Sequence, residues 1–331
     1  MKENELKSKL KLSVVIPAYN EEENIAITIN TITSAINKLK TELESYEILV
    51  IDDHSQDKTF QNIKEFRELN SNSSIKALRL SRRSGSHIAI RAGLDHSSGD
   101  VVLCMAADGQ DDPNVIVEMI KKWSSGSQVV WALRKKREEK FFQKLFAILF
   151  YKIIALLINN SNTSNTNNNS NFDTSRADFY LIDKIVVEAV KSCKEKNTSL
   201  FGLLIWLGFK QDFVEYERKN RRFGCSGWSF RAKINLATDW IISFSNVPIR
   251  LLTFAGIAFI FLAFIICICI AIILANAINV PLSSTIAFII VFSLLTGLQM
   301  ICFGILGEYI SRNYDEAKRR PLYFIEDQKL N

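Results

Sequence analysis

The most constraining feature of this 331-residue chain is a long segment near its end that carries no formal charge. Between Arg250 and Glu308 there is no Lys, Arg, Asp or Glu. A helix needs about 20 apolar residues to cross the hydrocarbon core of a bilayer, so the segment has room for two crossings and a short connection. We therefore predict a two-helix transmembrane hairpin over 249–307, with spans inside 251–275 and 285–306. The alternative, a buried core hairpin, would need a further domain to cover it.

Basic residues around this segment predict its orientation. The connection at 276–284 contains no Lys or Arg, whereas both outer flanks contain several. By the positive-inside rule, the connection faces outward, and the large N-terminal domain and the tail at 308–331 face the cytoplasm. The predicted location is the inner or plasma membrane, with both termini cytoplasmic.

Two segments before the hairpin are predicted to lie at the membrane surface. The segment at 140–158 is apolar and aromatic with three lysines that can snorkel, which favours an interfacial helix over a buried core helix. A juxtamembrane helix is predicted at 229–248, and the Asn-rich run at 159–171 is predicted to be a loop. Interfacial helices of this kind are compatible with a homo-oligomer.

The first 135 residues alternate short β-branched runs with amphipathic helical patterns. Strands are predicted at 12–16, 47–51, 75–80, 101–105 and 129–132. Helices are predicted at 22–43, 58–69, 86–96 and 112–123. This alternation indicates an α/β fold with a mostly parallel sheet covered on both faces, whose ligands bind at the carboxyl ends of the strands.

Composition argues against several other classes of protein. The six cysteines include no CxxC pair and there are only three histidines, so neither a disulfide framework nor a zinc site is predicted. The polar N-terminal segment does not resemble a signal peptide. Much of the net charge of +6 lies beside the uncharged segment without a nucleic-acid-binding motif, so we expect contact with anionic lipid or phosphate and not with nucleic acid.

Acidic and amide side chains cluster after three of the predicted strands, in the segments at 16–22, 51–59 and 107–113. Asp52 and Asp53 form a carboxylate pair at a strand end. Asp108, Gln110 and Asp111 offer hard oxygen ligands, as Mg²⁺ or Mn²⁺ bridging phosphates requires. One such segment alone would be explained by helix capping, but three in this order favour a binding site.

These segments resemble the nucleotide-sugar-binding signature of family-2 inverting glycosyltransferases. Within that family, the chain is similar to the branch of dolichyl-phosphate mannose synthase and bacterial polyprenyl-phosphate glycosyltransferases. Further similar motifs lie at 80–85, 92–95, 99–100, 177–181, 216–218 with Arg221, Gly224 and Ser226, 304–310 and 320–321. The resemblance implies a Rossmann-like, GT-A type domain over 1–228. It also implies transfer of one sugar from a UDP- or GDP-linked donor to a polyisoprenyl phosphate, in cell-envelope glycan biosynthesis.

The resemblance implies roles for individual residues. Those that would bind the nucleotide part of the donor are Pro17, Tyr19, Glu21, Asp52, Asp53 and Gly85. Those that would ligate a Mg²⁺ or Mn²⁺ ion on the diphosphate are Asp108 and Gln110. Asp178 would orient the acceptor or take a proton from it. The arginines that would clamp phosphates with paired N–H donors are Arg134, Arg218 and Arg221.

Three departures from the family pattern bear on activity. Ala106 stands where the family usually has Asp, Gly227 where it usually has Lys, and Tyr180 where arginine is common. The first two changes remove opposite charges from the predicted diphosphate site. A catalytically weakened or silent membrane scaffold that keeps the fold is therefore the alternative function. A processive polysaccharide synthase is disfavoured, because it needs more spans and usually a QxxRW segment, which this sequence lacks.

Overall fold

The computed structural model describes residues 9–39, 41–69, 74–135, 177–193, 195, 199–218 and 283–329, together with isolated positions between 252 and 272. The chain divides into two compact units. The first comprises Met1–Tyr151, Asn165–Ala232 and Pro321–Asn331, and the second comprises Lys152–Ser164 and Lys233–Arg320. The last residues of the chain therefore belong to the same unit as the first.

An eight-stranded sheet forms the centre of the first unit. Its strands are β1 (Leu10–Ala18), β2 (Leu43–Asp52), β3 (Ile75–Leu80), β4 (Val101–Cys104), β5 (Val129–Arg134), β6 (Ala177–Asp183), β7 (Gln211–Tyr216) and β8 (Ile325–Lys329). Their spatial order is β7-β5-β6-β4-β1-β2-β3-β8. Six strands run in one direction, and β6 and β8 run in the other. The prediction of a mostly parallel sheet is confirmed.

Helices cover both faces of this sheet. They are α1 (Ile25–Asn37), α2 (Thr59–Leu69), α3 (Ser86–His96), α4 (Ile116–Ser124, after a 3₁₀ turn at Pro113–Val115), α5 (Lys184–Ser192) and α6 (Leu200–Trp206). Helix α1 buries one apolar stripe at helical spacing in the main core cluster. On the opposite face, Gly93 of α3 lies so close to β1 that a Cβ atom there would be 2.2 Å from Val15 Cγ1.

The predicted strands and helices of the first 135 residues are confirmed, with one correction. The helix predicted over 22–43 is shorter, because α1 begins at Ile25 and ends at Asn37. The Leu39 amide donates to the Ile36 carbonyl over 2.8 Å and closes a turn. Leu43 then begins β2 in register with Leu10, so its apolar side chain belongs to the sheet and not to the helix.

Each of the two antiparallel strands contains a one-residue bulge at an acidic residue. In the pairing of β6 with β5, Asp178 is skipped, because Ala132 pairs with Phe179 and Leu133 with Ala177. In the pairing of β8 with β3, Glu326 is skipped in the same way between Ile325 and Asp327. Bulges redirect side chains and often lie next to active sites.

The described part of the second unit contains helix α7 (Ser283–Ala317). Among the described residues, we find no helix that is both long and apolar enough to cross a membrane. Part of the uncharged segment lies outside the described residues, and the transmembrane hairpin stays a prediction. The predicted interfacial helix at 140–158, the loop at 159–171 and the juxtamembrane helix at 229–248 also lie outside them.

Candidate active site

The segments that follow β1 and β2 are joined to each other at the carboxyl edge of the sheet. The Asn20 amide donates to the Ser55 hydroxyl over 3.0 Å, and the Glu21 amide donates to the Thr59 hydroxyl over 2.8 Å. Asn20 and His54 have positive φ angles of 53° and 59°, so both segments turn sharply. The predicted donor-binding residues that these segments bring to one edge are Pro17, Tyr19, Glu21, Asp52 and Asp53.

Asp53 supports the turn that contains Gly85. Its buried carboxylate accepts the amides of Ser84 and Gly85 over 2.6 and 2.7 Å. Gly85 has a φ of 96°, a conformation that residues with a side chain rarely adopt, and it precedes α3. Burial raises the pKa of Asp53, while these amides and Arg83 oppose the rise. The structure thus brings two of the predicted donor-binding residues into direct contact.

Arg79 of β3 is a neighbour of Asp52 that was not among the residues predicted from the sequence. The Asp52 carboxylate is fully buried and lies 3.6 Å from Arg79 Nη1. Arg79 Nη2 donates to the Ser55 carbonyl over 3.1 Å. Burial raises the pKa of Asp52, while hydrogen bonds from Ser55 and the charge of Arg79 oppose the rise. Arg79 therefore brings a positive charge to the donor end of the site.

The other residues predicted to bind the donor are Pro17, Tyr19 and Glu21. Pro17 lies within β1, one residue before its end. The guanidinium carbon of Arg83 lies 4.0 Å from the centroid of the Tyr19 ring, a cation–π contact. Glu21 accepts Asn24 Nδ2 over 2.7 Å at the start of α1. We call the segments at 16–22 and 51–59 the donor segments. A second arginine, Arg83, is thus present beside them.

Asp108, which follows β4, meets Arg218, which follows β7. Arg218 Nη2 lies 3.6 Å from Asp108 Oδ2, and Asp108 Oδ1 accepts the Gln110 amide over 3.1 Å. The next carboxylate, Asp111, is buried and accepts the Tyr216 hydroxyl over 2.7 Å. A predicted metal ligand and a predicted phosphate-binding arginine are therefore neighbours.

The oxygen ligands at Asp108 fit a divalent ion whose coordination is completed by the substrate. Within the described part of the chain, no group of three or more His, Cys, Asp or Glu side chains could hold a metal ion by itself. Asp108 and Gln110 supply hard oxygen atoms, and Mg²⁺ commonly combines one or two carboxylates with phosphate oxygens and water. The donor set is thus suited to an ion that binds together with a diphosphate.

The residues predicted for the acceptor and its phosphate lie partly outside the described structure. Arg134 ends β5 in register with Tyr216 of β7, so Arg134 and Arg218 lie at the same edge of the sheet. The Asp178 backbone forms the bulge of β6 at this edge, but its side chain is outside the described residues. Arg221 is also outside them, and its role stays a prediction.

The three departures from the family pattern have different surroundings. Ala106 lines a small cavity of about 40 Å³ together with Thr28, Gly109 and Asp111. Tyr180 is 1% exposed in β6, and its ring lies 5.4 Å from that of Trp131, so it is a core residue of the sheet. Gly227 lies outside the described residues.

Comparison with known proteins identifies the family of this chain. The sequence profile of "Glycosyl transferase family 2" matches residues 13–185. A Bacillus subtilis protein named uncharacterized glycosyltransferase is 35% identical over 96% of this chain and 94% of its own length. An Escherichia coli protein named prophage bactoprenol glucosyl transferase homolog is 35% identical over 97% of this chain and 100% of its own.

Among solved structures, mannosyl-3-phosphoglycerate synthase of Rubrobacter xylanophilus superposes with a TM-score of 0.48 at 19% identity, covering 75% of each chain. The family profile spans the strands and helices that carry the donor segments, and the similarity to the curated relatives extends over nearly the whole chain. This chain belongs to glycosyl transferase family 2, and it is a glycosyltransferase with an α/β fold.

Proposed function

We propose that the chain transfers one sugar from a nucleotide-sugar to a polyisoprenyl phosphate at the cytoplasmic membrane face, with inversion at the anomeric carbon. The observation that carries the proposal is the similarity, over 97% of the chain, to a protein named bactoprenol glucosyl transferase homolog. Because this similarity includes the uncharged segment as well as the donor site, it supports a lipid acceptor. The same name makes glucose the first sugar to test.

The proposed reaction is a single displacement. An oxygen of the lipid phosphate attacks the anomeric carbon, the bond from that carbon to the diphosphate oxygen breaks, and the nucleoside diphosphate leaves from the opposite face. A phosphomonoester has its second pKa at about 6, so the nucleophile is already largely anionic at neutral pH. A strong general base is therefore unnecessary, and we assign Asp178 the orientation of the acceptor.

The main difficulty of this reaction is the repulsion between two anionic substrates. Arg218, beside Asp108, and Arg134, at the same sheet edge, are proposed to bind phosphate oxygens through paired N–H donors. A divalent ion on Asp108 and Gln110 would supply further positive charge to the departing diphosphate. Fixed charges of this kind act where negative charge develops in the transition state.

A membrane location is part of the proposal. In the described part of the second unit, large apolar side chains are exposed, among them Phe254, Phe261, Phe288, Phe292 and Phe303, each more than half accessible. Such an apolar surface is uncommon in water and is expected where lipid is the solvent. Two spans with both termini in the cytoplasm would keep the enzyme on the membrane that contains its acceptor.

Transfer of radiolabelled glucose from UDP-glucose to undecaprenyl phosphate by the purified protein in nanodiscs tests the proposal. We expect a labelled lipid that forms only with the phosphorylated acceptor, with undecaprenol as the matched control. GDP-mannose and UDP-N-acetylglucosamine test the other sugars. Nucleotide binding without transfer from any donor would instead favour the silent scaffold that Ala106 and Gly227 suggest.

A further inference from the structure

The C-terminal strand brings an acidic side chain to the donor end of the first unit. Glu326, the bulged residue of β8, accepts Arg79 Nε over 3.0 Å. The same carboxylate lies 3.4 Å from His54 Nδ1. Glu326 therefore contacts both the arginine beside Asp52 and the residue that follows Asp53.

Arg79 is held by acceptors on three sides. Besides Glu326, its guanidinium donates to the Ser55 carbonyl over 3.1 Å and lies 3.6 Å from the Asp52 carboxylate. The ring of Phe60 lies 5.5 Å from the guanidinium carbon. Because the guanidinium is a rigid planar fork, the bond that Glu326 makes at Nε limits where the two terminal nitrogens can point.

The contacts of Arg79 continue into the segment after β1. The Ser55 hydroxyl accepts the Asn20 amide over 3.0 Å, and the Asn20 side chain accepts the Gln56 amide over 2.9 Å. Asn20 lies between Tyr19 and Glu21, two of the predicted donor-binding residues. A continuous series of contacts thus leads from Glu326 through Arg79 and Ser55 to both donor segments.

We propose that Glu326 is a positioning residue for the donor, which acts through Arg79 and His54 to hold both donor segments in the arrangement that binds a nucleoside diphosphate. This inference rests on the proposed function. The Glu326 side chain is 50% exposed, and ion pairs at such exposure contribute little to folding stability. Its removal is therefore expected to change nucleotide binding more than it changes stability.

Glu326→Gln in the full-length protein tests this proposal, with Asp327→Asn as the matched control. Asp327 is the next residue of the same strand and contacts Lys64 of α2. Titration with UDP and with GDP is expected to show a Kd for the bound nucleotide about three- to tenfold higher for Glu326→Gln and nearly unchanged for Asp327→Asn. The KM for the donor should rise with the Kd, while kcat, the KM for lipid phosphate and the nucleotide-free Tm stay constant.

A double variant with Arg79→Lys distinguishes action through Arg79 from a general effect of the strand. We expect the increases in Kd for Glu326→Gln and Arg79→Lys to be less than multiplicative, because both remove the same contact. Unchanged binding by Glu326→Gln, or equal losses in Glu326→Gln and Asp327→Asn, would overturn the inference while nucleotide binding by the unmodified protein still supports the proposed function. Failure of the unmodified protein to bind UDP or GDP would overturn both.

Discussion

At the scale of single residues, Asp108 is central to the proposed binding of the diphosphate. Ala106 contributes no charge there, and Asp111 is engaged by the Tyr216 hydroxyl. Arg218 and Asp108 lie close together, so a cation suited to a diphosphate and a carboxylate suited to a metal ion are neighbours there. We therefore expect sugar transfer to depend on this carboxylate more than on any other described residue near it.

Asp108→Ala is expected to lower sugar transfer at least about 100-fold, because both the metal ligand and the partner of Arg218 are lost. The nucleotide-free Tm should stay close to that of the unmodified protein. Asp112→Ala is the matched control, since Asp112 is an acidic helix cap four residues away whose loss costs only about 1 kcal/mol of stability. Undiminished transfer by purified Asp108→Ala would contradict a metal role.

Asp53→Asn is expected to loosen the turn at Ser84 and Gly85. An asparagine has one acceptor oxygen, so its NH₂ group would face one of the two amides that the carboxylate now accepts. We expect a local cost of about 1–3 kcal/mol, seen as faster hydrogen exchange at these two amides. The amide of Ser55, which is bonded to Asp52, serves as the internal control and should keep its exchange rate. If the substitution changed the exchange rates of all three amides equally, this would argue against the supporting role of Asp53.

At the scale of elements, Glu47 connects neighbouring strands near the amino edge of the sheet. Its carboxylate accepts the Ser13 hydroxyl of β1 over 2.6 Å, Lys76 Nζ of β3 over 2.6 Å and the Ser98 amide before β4 over 2.7 Å. Burial alone would raise the pKa of Glu47, but the hydrogen bonds from Lys76, Ser13 and Ser98 together hold the pKa below its ordinary value. The ionised carboxylate is therefore the form that stabilises the sheet.

Glu47→Gln should lower the free energy of unfolding by about 2–4 kcal/mol at neutral pH, because Lys76 loses its partner and one acceptor is removed. Since the folded-state pKa is lowered, the contribution of Glu47 is present above its ordinary pKa and is lost as the pH falls through the lower folded value. The difference in the free energy of unfolding between the unmodified protein and Glu47→Gln should therefore disappear at acid pH. Urea unfolding from neutral to acid pH measures this difference. A difference that is independent of pH would contradict the stabilising role of the ionised Glu47 carboxylate.

The sequence predicted elements well where a strand or helix buries its own apolar pattern. The strands β1–β5 and the helices between them follow this rule. The last strand does not, since the sequence IEDQK has one apolar residue in five and forms a strand only because the edge of β3 is available. The contacts of Asp53 with Gly85 and of Arg79 with Glu326 join residues that are far apart in sequence. They could therefore not be predicted without the order of the strands.

At the scale of the whole molecule, the first unit is discontinuous in sequence. It contains Pro321–Asn331 in addition to the N-terminal segments, although residues 233–320 belong to the second unit. The tail that we predicted only as a cytoplasmic segment therefore includes a strand of the first unit. Any shortened chain that stops before the second unit lacks β8 and with it Glu326.

Replacement of 233–320 by a Gly/Ser linker is expected to give a protein that stays in solution without detergent and binds nucleotide as the full chain does. A chain that ends at residue 232 is the control and should bind nucleotide several-fold more weakly, because it lacks β8. Relative to the full chain, the linked protein should lose transfer to long-chain prenyl phosphate but keep transfer to a short, water-soluble one. Calorimetry and sugar transfer measure these effects, and equal nucleotide binding by the two shortened proteins would contradict the importance of β8.

The position of β8 near the C-terminus also determines when, during synthesis, the sheet can be completed. Translation proceeds from the N-terminus, so seven strands leave the ribosome before the eighth, and the uncharged segment emerges between them. Until residue 325 has been synthesised, the outer edge of β3 has no neighbouring strand and Arg79 has no acidic partner from β8. If β8 supports nucleotide binding as we propose, a newly made chain completes its nucleotide site only after the uncharged segment has been synthesised.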